Sequence, residues 1–331
     1  MRPQQTPGVT GAVMVRSNGA VWRLAAPLVI AEPHLLTSVA AATPTQVWVA
    51  GNAGQRPLTA HWDGTAWTLP PNPPDDPAHL GAGILGIACS PDGRAIAVGG
   101  AYNRLTRTEV PLVRHWTGSS WTPQTAPELD GHVLNDVTIL NGDAWAVGHG
   151  PVAVHWTAGE WRPAPMPQVA KGKLLAVSGT APDDIWAVGA EDRSALIVHY
   201  DGRSWTRVPC PSTRFPLTDV AALTPDEAWA VGRDRVLRWN GRKWSRVKSP
   251  VTAANTVTAL SPTDIWVAGG QGELAHYDGR HWRMAPSPDT AVWLASASPA
   301  PGQIWMAGTR QHTTQDQRTD SPTIPAQTTD I

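Results

Sequence analysis

Residues 174–211 read LLAVSGTAPDDIWAVGAEDRSALIVHYDGRSWTRVPCP. Four short apolar segments separated by turn residues fill this stretch, the pattern of a small antiparallel sheet. The first is Leu174–Ser178. The second, Ile185–Val188, runs into Gly189, and the third is Ala195–Tyr200. Asp201-Gly202 predicts a tight two-residue hairpin, because this pair suits two positive φ angles. The fourth segment holds Trp205 and Val208 and stops at Pro209–Pro211. Proline cannot donate to a sheet ladder, so it belongs at such an edge.

The same pattern recurs at 35–73, 79–127, 133–167, 216–250 and 256–288. A glycine follows a bulky residue by three positions at Trp48–Gly51, Ile96–Gly99, Trp145–Gly148, Trp186–Gly189, Trp229–Gly232, Trp266–Gly269 and Trp305–Gly308. A period near forty residues marks a repeat architecture of stacked or closed units. Six hairpins carry two aromatics five apart: Trp62/Trp67, Trp116/Trp121, Trp156/Trp161, Tyr200/Trp205, Trp239/Trp244 and Tyr277/Trp282. A two-residue loop would set them diagonally on one face, as a layer packing blade on blade. Of the 18 Trp, only Trp293 falls outside three repeat positions.

The ends complete each other. Residues 291–308 supply two strands and stop, while residues 12–27 supply two more around Asn18-Gly19. Neither half is a stable sheet alone, and together they close a ring without free edges. The expected fold is all-β: a seven-bladed β-propeller of four-stranded antiparallel blades, its last blade joining strands at 12–27 to strands at 291–308. The expected organisation is a flexible segment at 1–10, one propeller domain at 11–310, and a polar, disordered tail at 311–331.

Composition narrows the function classes. The net charge of −1 gives no field drawing the chain to nucleic acid or anionic lipid. No apolar run is long enough to span a membrane, and no signal peptide is evident. With 22 Arg against 4 Lys, and many Ala, Gly and Pro, the sequence points to a GC-rich bacterial genome. A cytoplasmic monomer is expected. Cys89 and Cys210 do not imply a bridge.

A glycine after the second strand, an aromatic-Asp pair, a Trp five or six residues on and a proline-rich exit resemble the kelch repeat. The copies at 184–211 and 264–288 match best, and the resemblance covers residues 12–309. Most units have one glycine where kelch has two, Gly99-Gly100 and Gly269-Gly270 excepted, and Trp stands where kelch has Tyr in strand two. Galactose oxidase, a sialic-acid mutarotase and many adaptor proteins share that blade, so the resemblance implies a fold and no single function. Oxidase chemistry needs a cysteine–tyrosine pair and further Tyr ligands, which three tyrosines, two of them at repeat positions, do not supply.

Histidine precedes the third-strand aromatic at His61, His115, His155, His199 and His276, with Arg238 in another unit. Five copies on five blades cannot share one metal, so they read as structural, each hydrogen-bonded between sheets, and no metal or cofactor is expected. The Asp-Gly pairs lack the alternating acids of calcium loops. The residues that the repeat does not explain are loop tips on the face joining strands two to three and four to one. They are Tyr102, Asn103, Arg104, Arg107 and Glu109, then His149, Glu191, Asp192, Arg193, Arg233, Asp234, Arg235, Gln271 and Glu273, with His79, Asp130, His132 and Arg214 on the long exits. As a set they suit a protein partner or a polar ligand. Trp293 has two readings: lining the channel against a ligand, or filling the closure seam. The leading expectation is a binding platform. The alternatives are an isomerase, lyase or cyclase at the axial mouth, and a carbohydrate-binding lectin, which is undercut because the aromatics sit at packing positions.

Overall fold

The computed structural model describes residues 10–18, 21–124, 129, 131–169 and 171–311. They form seven four-stranded antiparallel sheets. Blades 1 to 6 occupy 34–68, 79–123, 134–164, 172–207, 217–247 and 254–284. Blade 7 takes its inner pair, Val292–Ala300 and Gln303–Gln311, from the C-terminal end, and its outer pair, Thr10–Ser17 and Trp22–Leu24, from the N-terminal end. Eight paired rungs from Thr10↔Gln311 to Ser17↔Ile304 lock the two ends together. The inner strands contact one another in a closed circuit, the last against the first. Apart from Thr10 and Gln311, the two terminal segments expected to be flexible lie outside the described residues.

One backbone device repeats in all seven blades. The inner strand slips register by one residue just after Leu36, Ile84, Leu134, Leu174, Leu217, Ala254 and Trp293. These are β-bulges, each facing the second-strand glycine. A Cβ on Gly51, Gly99, Gly148, Gly189, Gly232, Gly269 or Gly308 would lie 1.9–2.6 Å from the carbonyl oxygen preceding the bulge. None of these glycines has a positive φ. Glycine is required here for space, not for conformation.

The tryptophans join the blades. Each second-strand aromatic packs on the outer hairpin of the following blade: Trp48 on Trp116 and Trp121 at 5.0 and 5.1 Å, Trp145 on Tyr200 and Trp205, Trp186 on Trp239 and Trp244, and Trp229 on Tyr277 and Trp282. Trp266 meets Trp22, and Trp305 meets Trp62 and Trp67, so the circuit passes through the closing blade. Ile96 takes the same place against Trp156 and Trp161.

Two sequence expectations are corrected. The paired aromatics are not diagonal: Trp62↔Trp67 and Tyr200↔Trp205 are directly opposed, as are the other four pairs. Most of these loops have four residues rather than two, because the leading Asp or Asn side chain folds the turn. Asp201 Oδ1 accepts from the Arg203 and Ser204 N–H groups at 3.0 and 2.9 Å, and only Gly202 has positive φ. Blade 3 keeps the two-residue turn, with Ala158 and Gly159 both positive. Three of the five column histidines bond within their own blade rather than between sheets, while His115 packs on Trp156 of the next blade. His155, His199 and His276 meet Asp143, Asp184 and Asp264 at the start of the second strand, at 3.1, 2.6 and 2.9 Å. Each stacks on its own Trp, and Arg238 and Arg16 do the same over Trp229 and Trp305.

Gly189→Ala should lower the unfolding free energy by about 2 kcal/mol or more, because the inner strand must move to admit the methyl group. Gly83→Ala, which meets nothing nearer than 3.6 Å, should be close to neutral. Denaturant unfolding of both variants checks this. Trp186→Ala should cost about 3–5 kcal/mol by the same measurement, since its side chain is fully buried between blades 4 and 5.

Candidate functional site

The bulge sets which side chains look inward. It inserts one extra residue, so the two residues after the bulge point across toward the axis and the following blade. At the first of these positions, Thr37 donates to the Ile84 carbonyl at 2.8 Å, Asn135 to Leu174 at 2.6 Å, Thr218 to Asn255 at 2.9 Å and Asn255 to Trp293 at 3.1 Å. The second position holds Ser38, Gly86, Asp136, Ala176, Asp219, Thr256 and Ala295, one from each blade. Its polar members reach the next inner strand. The Ile87 N–H donates to Ser38 Oγ at 3.2 Å, Val177 N–H to Asp136 Oδ2 at 2.9 Å, and Val257 N–H to Asp219 Oδ2 at 2.9 Å.

These strands enclose an axial cavity of about 370 Å³, lined from all seven blades. Its wall is polar: Asp136 and Asp219 on either side of Ala176, then Ser178, Thr258 and Ser296. Thr256 donates to Asp219 Oδ2 at 2.7 Å. Among the described residues no Arg, Lys or His lines it. Inner strands enter from the loop-rich face, so residues early in them, Asp136 and Asp219 included, lie toward that end.

The two carboxyls are the perturbed acids of the axial cavity. Burial pushes Asp136 up to about 7; the charge of Asp219 adds to this, and the Val177 and Val137 N–H groups oppose it. Burial likewise raises Asp219 to about 6, against hydrogen bonds from Val257, Thr256 and Val220. Each keeps some surface toward the cavity, yet protein surrounds it on every side, and it is the lost hydration that favours the neutral acid. Gly86 has no side chain because Asp136 fills the space: a Cβ there would sit 2.6 Å from the Asp136 Cα.

None of the eleven residues expected to bind ligand lines this cavity. Tyr102, Arg104 and Arg107 sit on the long hairpin of blade 2, where Arg107 has φ +60° and Asn103 Oδ1 caps the turn. His149 approaches Glu109 of that hairpin at 3.8 Å. Asp192 and Arg193 form an exposed turn of blade 4. Arg233 stacks on Phe215, and Arg235 pairs with Asp234 at 2.7 Å. Gln271 holds a turn, and Glu273 clamps the crossover by accepting from Thr252 and Ala253. Trp293 is fully buried among Trp22, Leu274, Ile304 and Met306, in the closure seam and with no surface toward the cavity. His79 and His132 lie at the face, Asp130 is outside the described residues, and Arg214 is exposed. The two aspartates went unselected in the sequence because each sits in a string of small residues. Aligning the seven inner strands in columns exposes them.

No family model and no curated protein matches this sequence. Solved structures do match in shape. YCF48 bound to a D1 peptide is 14% identical, with a TM-score of 0.62, covering 94% of this chain and 100% of that one. Virginiamycin B lyase from Staphylococcus aureus is 13% identical, at 0.67, covering 90% and 99%. The WD40 repeats of RRP9 are 11% identical, at 0.62, covering 86% and 97%. Likeness at this level establishes the propeller fold. Among the described residues no helix is long and apolar enough to cross a membrane.

The raised acids make stability depend on pH. Between about pH 4 and 7 the folded chain holds a proton at Asp136 that the unfolded chain has lost, so stability falls as pH rises through that window. Asp136→Asn removes this slope. It should match the wild type near pH 4 and exceed it by about 2 kcal/mol at pH 8, a value halved from the full shift because the group faces an open cavity. Thermal unfolding across pH checks this.

Proposed function

We propose that this propeller is a binding platform, without catalytic activity, whose loop-rich face holds a protein partner and whose axial cavity takes a cationic group from it. The carrying observation is the pair Asp136 and Asp219: two acids on one wall of a polar cavity with no cation among its described lining residues. A Lys or Arg side chain from outside would favour their ionised forms and accept the field that now raises them. A protein partner is favoured over a free ion by the hairpin of blade 2 beside the mouth. Leu80, Tyr102 and Leu105 are 44%, 43% and 78% exposed there, an apolar patch that water solvates poorly. The fold relatives include a propeller with a bound peptide, which supports the same kind of use. In this reading the chain is a kelch-like, monomeric protein of a bacterial cytoplasm.

The lyase or isomerase reading rests on Asp136, whose raised pKa suits a proton shuttle near neutral pH. It lacks a second component, since among the described residues the wall offers no Arg, His or metal-ligand set to hold developing negative charge.

Selection from a displayed random-peptide library tests the proposal. Peptides retained by the wild type should be enriched in Lys or Arg, and Asp136→Asn with Asp219→Asn should weaken them at least tenfold. Acidic or uncharged winners, or winners indifferent to the double substitution, would contradict it.

A further inference from the structure

A second feature departs from the repeat, far from the axis. The third-strand residue before the His/Arg column is Ala60, Val154, Val198, Leu237, Ala275 and Val15 in six blades, each 0–1% exposed. In blade 2 the same column holds Arg114, which is only 6% exposed. A guanidinium stands where the architecture needs an aliphatic side chain.

Its surroundings do not neutralise it. Arg114 Nη1 donates to Asn72 Oδ1 at 2.9 Å, a neutral partner, and among the described residues no carboxylate oxygen comes within 4.0 Å of its nitrogens. Asp75 acts on it from a distance but is itself paired with Arg56 at 3.3 Å, and Asp76 leans on His79 at 3.7 Å. Burying a guanidinium without a paired anion is costly. Among the described residues Nε and Nη2 have no hydrogen-bond partner, and neither is among the fully buried unpartnered atoms, so both keep some surface. That surface faces a cavity of about 510 Å³, larger than the axial one, between blades 1 and 2. The proline-rich crossover 73–77 and strand residues Pro111, Leu112, Val113 and Pro123 give it mostly apolar walls. This is the form of a small-molecule site: a largely apolar pocket with one buried, oriented charge, the charged side chains of Arg56, Asp75 and Asp76 being much more exposed.

We infer that the pocket between blades 1 and 2 binds a carboxylate carried on a compact apolar group, with Arg114 as its anchor and Asn72 fixing the guanidinium plane. A planar fork matches a carboxylate with two parallel hydrogen bonds. The acids at the rim, Asp75 and Asp76, disfavour a doubly charged phosphate. The carboxylate can belong to a free acid or to a peptide C-terminus.

Calorimetric titration of the full chain separates these. The probes are 4-methylpentanoate, its neutral amide, and a leucine-terminated tripeptide with a free or an amidated C-terminus. Saturable binding of the free acid alone identifies a small-molecule site, and binding of the free tripeptide identifies a C-terminus reader. In either case the amides should bind at least tenfold more weakly. Arg114→Met should lose the carboxylate response while keeping or raising the melting temperature, because it restores the aliphatic column. Asp136→Asn with Asp219→Asn should leave the response unchanged, so failure at this pocket is distinguishable from failure at the axis. Equal response to acid and amide, no saturable carboxylate binding, or an Arg114→Met chain less stable than wild type would each overturn the inference.

Discussion

Everything else in this molecule follows from a contact that tolerates no side chain: second-strand glycine against the carbonyl that the inner-strand bulge presents. The bulge adds one residue to a strand that would otherwise alternate strictly between its two neighbours. That extra residue lets the inner strand face the preceding blade, the following blade and the axis within a few positions. Leu36, Leu134, Leu174 and Leu217 are buried just before it. In blades 1, 3, 5 and 6 the residues just after it bond forward into the next blade. The aromatic circuit outside and these hydrogen bonds inside are therefore two consequences of one backbone geometry.

The inner circuit explains why a carboxylate can persist at the axis. Asp136 and Asp219 stitch blade 3 to blade 4 and blade 5 to blade 6 through backbone N–H groups, a role that Ser38 fills between blades 1 and 2. A serine performs it without charge. Two aspartates performing it on either side of Ala176 are both raised in pKa by burial, Asp136 further by the charge of Asp219, and no cation among the described lining residues offsets them. Structural pinning accounts for the position of these side chains. It does not account for their charge, and that surplus is where function enters.

The fold was legible because a blade is a local object. Turn residues, alternation and the Pro-rich exits are read within forty residues, and the two half-blades at the ends reveal the closure. The hairpins were read one step too simply, since Asp-Gly serves a two-residue turn as readily as the four-residue loop that the Asp side chain folds. The site was less legible. The loop tips look functional because they escape the repeat, but Arg235 and Glu273 are occupied by Asp234 and by Thr252 and Ala253. The channel residues hide in strings such as LNDV and LTDV, where only a bulge decides which side chain reaches the axis. Arg114 was hidden for the opposite reason: in one repeat a buried arginine looks like any charged strand residue, and only the aliphatic column in the other six marks it.

The most direct test of the account is a carbon-13 NMR titration of the aspartate carboxyls, with Asp136→Asn and Asp219→Asn for assignment. Two carboxyls should titrate near pH 7 and pH 6 in the free protein, and both should fall toward the ordinary carboxylate range when a lysine-bearing peptide binds. If both titrate near pH 4 in the free protein, burial does not penalise their ionised forms, a bound cation has no raised pKa to relieve, and the proposed role for the cavity fails.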